Sequence, residues 1–70
     1  MKIRHDPDAN AAKIYLNNNK YHHSQMITPS CILDFDEQGN IIAVELLNLT
    51  THAIDLGTIE YTDITKQKAK

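Results

Sequence analysis

The stretch that most limits the fold is Asp34-Phe35-Asp36-Glu37-Gln38-Gly39-Asn40, set between two apolar runs. Before it, Ile27, Cys31, Leu33 and Phe35 share one parity and Ile32, Asp34 and Asp36 the other, the period of a strand with one face turned inward. After it, Ile41-Ile42-Ala43-Val44-Glu45-Leu46-Leu47 is nearly continuously apolar, which predicts a central strand covered on both faces. An acid opening the turn and Gly39 taking its left-handed position commit the two runs to antiparallel pairing. Pro29 removes a ladder donor, so the segment before it belongs on a sheet edge or at a bulge.

The same letters imitate a calcium loop, with oxygen-bearing side chains at positions one, three and five (Asp34, Asp36, Gln38), Gly39 at six and Glu45 at twelve. A calcium hand needs a helix leading into the loop. Here the entering segment carries Pro29 and β-branched residues, which a regular helix does not accept. The hairpin reading therefore stands.

The rest of the chain reads as further strands. Lys2-Ile3-Arg4-His5 alternates before the turn-forming Asp6-Pro7-Asp8, and Ala12, Ile14 and Leu16 share a face in a second strand. Asn17-Asn18-Asn19-Lys20 marks a tight reversal or loop, because asparagine tolerates left-handed backbone. Leu49, Ala53 and Leu56 recur at helical spacing with Gly57 placed as a C-cap, which predicts a short helix over residues 48–56. Thr58-Ile59-Glu60-Tyr61-Thr62-Asp63-Ile64 is rich in β-formers and predicts a last strand. The expected fold is α+β: a small antiparallel β-meander of four to five strands with one short C-terminal helix. Residues 1–65 form a single domain, and the lysine-bearing residues 66–70 a disordered tail.

Seventy residues leave no room for a second domain, and at this length a core supplies only about 3–5 kcal/mol, so self-association is the expected supplement. Cys31 is the only cysteine, which excludes an internal disulfide and points to the reducing cytoplasm. The first eight residues mix charges without an apolar segment of the kind an export signal carries, and no run is long enough to span a bilayer, so neither export nor membrane insertion is expected. A net charge of −2 and the absence of tryptophan argue against a nucleic-acid partner.

Candidate chemistry rests on few groups. His22 and His23 are adjacent, and on one strand they point to opposite faces, so an exposed or loop pair is the expected reading; His5 is a third potential metal ligand, if strands bring it near one of them. Asp34 and Asp36 share one face, where a carboxylate pair shares a proton or holds a cation, or else serves as solvated strand-end charge. Cys31 shares the parity of Leu33 and Phe35 and is expected as a packed thiol rather than a nucleophile. Two glycines cannot build a phosphate-binding loop. No catalytic set and no cofactor site follow from the residues.

Met1-Lys2-Ile3-Arg4, Asp6-Pro7-Asp8-Ala9-Asn10-Ala11 with Ile14 and Leu16, Thr28-Pro29, and Ile32-Leu33-Asp34-Phe35-Asp36-Glu37 with Gly39, Val44-Glu45 and Leu47 together resemble the domain-of-unknown-function 2283 family. The resemblance implies a small prokaryotic protein with an antiparallel sheet plus a short helix and no assigned activity, some relatives being paired with toxin-like partners. The chain departs from the family pattern at His5, where an aromatic is usual, at Asn10, where an acid is usual, and at Ala12-Lys13, where Leu-Tyr is usual. The expected function is a non-catalytic, homodimeric protein-interaction module, antitoxin-like in the sense that the resemblance suggests. The competing expectation is a small-molecule or metal-binding protein that uses His5, His22, His23, Asp34 and Asp36 at a dimer interface.

Overall fold

Two hairpin-type units meet along one ladder to make the sheet. The computed structural model describes residues 1–67. β1 (Lys2–Asp6) and β2 (Ala11–Tyr15) form the first hairpin; β3 (His23–Thr28), β4 (Cys31–Phe35) and β5 (Ile41–Leu46) form a three-stranded meander. All neighbours are antiparallel, and β2 pairs with β5, so the order is β1-β2-β5-β4-β3. The simple meander is thus corrected: β2 and β3 are consecutive in the chain but three places apart in the sheet, and residues 16–22 cross one end of it.

Each turn uses the chemistry its letters predict. Asp6 accepts from the backbone N–H groups of Asp8 and Ala9 through one carboxylate oxygen (3.1 Å each), closing β1 onto β2. Asn10 ends that turn at φ 54°, a conformation asparagine tolerates better than most residues. Gly39 holds φ 88° in the β4–β5 turn. Pro29 sits between β3 and β4, and the β3–β4 register shifts between Met26 and Thr28, so the segment before the proline is both an edge and irregular.

The α+β expectation is overturned: the structure is all-β. No helix spans 48–56. Asn48 and Ala53 both take φ 54°, and Leu49 turns its N–H to the Asn10 carbonyl (3.1 Å) while its own carbonyl accepts from Ile54. Three apolar residues at helical spacing give too short a segment to offset the cost of helix nucleation, and Thr50, Thr51 and His52 between them are poor helix formers. The only helical segment described is a single turn, α1 (Ile64–Gln67), opened by the Asp63 carboxylate accepting from Thr65 N–H, and it approaches none of the strands. The strand expected over residues 58–64 has no ladder partner among the described residues. Of the expected tail, residues 68–70 lie outside the described residues.

Without the helix, β5 is not covered on both faces as its apolar run predicts. The molecule is one layer thick, with a shortest dimension of 18 Å. Its radius of gyration is 14.5 Å, against about 11 Å for a compact chain of this length. Among the described residues the buried apolar ones are Ala12, Ile42, Ala43 and Leu49, and no side chain falls below 2% exposure. Leu49 is buried at the end of the sheet where Asn10 and Thr50 bond to each other. No helix among the described residues is long and apolar enough to cross a membrane.

Candidate functional site

The pairing registers sort the side chains onto two unlike faces. On one, Ile3, Ile14, Val44 and Leu33 lie in a row across four strands, and Ala12, Leu46 and Cys31 lie in the next row. Of these seven only Ala12 is fully buried; the others are half-exposed. Cys31, expected as a packed thiol, is half-buried because none of the described residues forms a second layer over this face.

The opposite face is polar and its groups are mutually satisfied. Asp34, 7% exposed, accepts from the Ser24 hydroxyl (2.6 Å) and pairs with Lys13 Nζ (3.1 Å). Ser24 Oγ also shares a 2.8 Å hydrogen bond with the Tyr21 hydroxyl. Burial pushes the Asp34 carboxyl up, but the Ser24 and Lys13 hydrogen bonds and the Lys13 charge outweigh it, and the net direction is downward. Lys13 is moved upward, first by its hydrogen bond to Asp34, against a smaller opposing effect of burial. The Lys2 and Lys13 ammonium groups lie 4.6 and 5.2 Å from the centre of the Tyr15 ring. Lys13, Tyr15, Tyr21, Ser24 and Asp34 line a broad concavity of about 600 Å³. Ser24 donates to the Asp34 carboxylate, which also pairs with Lys13, so the arrangement braces β3 against β4 and β2.

Asp36 is the hub of one end of the sheet. It is 3% exposed. One carboxylate oxygen accepts from the backbone N–H groups of Gln38 (3.0 Å) and Asn40 (2.8 Å); the other accepts from the side-chain amides of Asn40 (3.0 Å) and Asn19 (2.9 Å). The Asn40 side chain contributes most to lowering its pKa, burial opposes, and the Asn40 N–H, Asn19 and Gln38 add to the lowering. Four donors fill both oxygens of one carboxylate, and a carboxylate so engaged accepts hydrogen bonds where a calcium loop needs it to bind the ion. Sequence reasoning read the turn but missed Asn19, which arrives from 17 residues away on the crossing segment. The triple asparagine at 17–19 was the available signal, and it was read only as a reversal.

The five candidate ligands are not brought together. Asp34 and Asp36 share no hydrogen-bond partner. His5 is on β1 and His23 on β3, the two outermost strands, four spacings or about 19 Å apart. His22 and His23 form an exposed pair, as expected, and because His22 precedes the regular strand the two do not point to opposite faces: their Nδ1 atoms are 2.8 Å apart and their rings pack edge to face at 5.0 Å. In that hydrogen bond one Nδ1 carries the hydrogen and the other the lone pair. His23 also stacks on Phe35 at 5.0 Å. Among the described residues no group of three or more His, Cys, Asp or Glu side chains is arranged to hold a metal ion.

Neither curated proteins nor solved structures give a match to this chain. The family model described as protein of unknown function (DUF2283) matches residues 2–49, which take in all five strands and both carboxylate networks, and the chain belongs to that family.

Proposed function

We propose that the protein is a non-catalytic interaction module that works as a homodimer, its two copies packing through the apolar sheet face. The observation that carries this reading is the uncovered row Ile3, Ile14, Val44 and Leu33 on a one-layer sheet. A single sheet is stable when an apolar face is packed against a second layer, and the described residues contribute no second layer. A second copy is the one cover always present in fixed proportion to the chain. The two central rows hold no Asp, Glu, Lys or Arg, so the face meets itself across a two-fold axis without opposing like charges.

The polar side chains support the non-catalytic part of the reading, since Asp34, Asp36, Ser24, Asn19 and Asn40 are spent on bonds that hold strands and turns together. Packing through the apolar face leaves Lys13, Tyr15 and Glu45 on the outer face, open to a protein partner. Gel filtration with light scattering is the test. A mass of twice 8.0 kDa at micromolar concentration is expected; a monomer at several hundred micromolar contradicts the proposal.

A further inference from the structure

The apolar face alone is small for a stable interface. Five strands at about 4.8 Å spacing, each five or six residues long, give a face of roughly 500 Å² in projection, whereas a standard interface buries about 800 Å² per partner. Elsewhere the chain exposes apolar groups that a monomer gives no place to. Ile59 is 61% exposed and Tyr61 88%, within a β-forming segment that pairs with no strand among the described residues.

The two edges of the sheet differ in what they accept. β1 carries Lys2, Arg4 and Asp6, the charges that deter edge pairing. β3, His-Ser-Gln-Met-Ile-Thr, carries no Asp, Glu, Lys or Arg; all six residues are exposed, Met26 at 64% and Ile27 at 51%. Its outer side has no ladder partner. The uncharged edge of β3 and the β-forming residues 58–62, which join no ladder among the described residues, are complementary in backbone hydrogen bonding.

We propose that residues 58–63 form a sixth strand on the sheet of a second copy, antiparallel to its β3, so that the two copies exchange C-terminal arms. This rests on the dimer proposed above and adds its second contact. A two-fold axis parallel to the strands, between the two apolar faces, places β3 of each copy over β1 of the other. The chain leaves its sheet beside the β1–β2 turn, where Leu49 N–H bonds the Asn10 carbonyl, and the partner's β3 ends at that same end of the assembly. Residues 50–54 keep the turn that Ile54 closes on Leu49, residues 55–57 bridge to the partner, and the arm then runs along the partner's β3 in the opposite direction. The fitting register sets Tyr61 opposite Gln25, with Ile59 beside Ile27. Gln25 is on the face of Leu33, so Tyr61 and Ile59 extend the apolar face. Glu60 and Asp63 then run toward the end that bears Lys20, His22 and His23.

The test uses full-length chains carrying Cys31→Ala, one also Gln25→Cys and the other also Tyr61→Cys, refolded together and mildly oxidised. Directly opposed residues of antiparallel strands have the Cα separation a disulfide requires. A covalent dimer containing one chain of each kind, formed in the mixture and in neither variant alone, is expected. A dimer by gel filtration that forms no such link overturns the arm exchange and leaves the apolar-face dimer standing; a monomer overturns both. Amide hydrogen exchange on the unaltered chain gives an independent reading: residues 58–63 are protected at high concentration and lose protection on dilution, and absence of protection in a demonstrated dimer overturns the proposal.

Discussion

The two faces of this sheet are built from the same five strands and solve opposite problems. On the polar face and at the turn end, Asp34 and Asp36 are nearly as buried as the best-covered alanines, yet each is satisfied inside one chain. On the apolar face, large side chains such as Leu33 and Val44 remain half-exposed. The difference teaches that polar groups here are completed by local and cross-strand bonds, whereas apolar groups need a second layer that the described chain does not provide. Hydrogen bonds fix the register of the strands; in the proposed dimer the hydrophobic contribution to stability waits on association.

The largest effect should come from putting a charge on the apolar face. Val44→Lys places an ammonium in the middle of the central row, between Ile14 and Leu33. If this row is the dimer core, an unpaired charge is buried there, and the dissociation constant measured by sedimentation rises at least about 100-fold, equivalent to roughly 3 kcal/mol. If the face is open to water in solution, the lysine extends into solvent and association and melting change little, which breaks the contrast between the faces.

A smaller effect, of a different kind, is expected at the turn. Asp36→Ala leaves the Gln38, Asn40 and Asn19 donors without their acceptor and lowers the melting temperature by about 10 °C in a domain this small. Its dimer should reassemble normally below that temperature. The same carboxylate sets part of the acid limit. The Asp34 and Asp36 pKa values are depressed on folding, so their stabilisation is complete above the unfolded value near 3.9 and is lost as pH falls through the folded values. Wild type therefore loses stability below about pH 4, and Asp36→Ala shows a shallower loss. An unchanged acid profile in the variant removes Asp36 from the account.

Much of the sheet was legible because its signals are local. The β1–β2 turn follows from Asp6-Pro7-Asp8, and the β4–β5 hairpin from Asp36 and Gly39, both readable within a few residues. β3 was legible only in part: Pro29 places the segment before it on an edge or at a bulge, but His-Ser-Gln-Met-Ile-Thr lacks apolar alternation, since an exposed edge buries neither face. The false helix at 48–56 came from three apolar residues whose spacing fits a helix, while Leu49 is held by Asn10, a contact across 39 positions that no periodicity encodes. The candidate ligands misled for a related reason. His5 and His23 each lie in a strand, but their distance depends on β2 docking against β5, and that follows from long-range pairing. The segment 58–64 reads as a strand, and the described chain gives it no edge; in the arm-exchanged dimer that reading holds for residues 58–63 on a neighbouring copy.

The claim at the centre of this account is that the hydrophobic core forms between chains. The thermal midpoint as a function of protein concentration tests it most directly, because unfolding coupled to dissociation makes the midpoint depend on concentration by mass action. The account predicts that the midpoint falls progressively over a hundredfold dilution, with one cooperative transition throughout. A midpoint that stays constant over that range, with the fold intact at the lowest concentration, would contradict it.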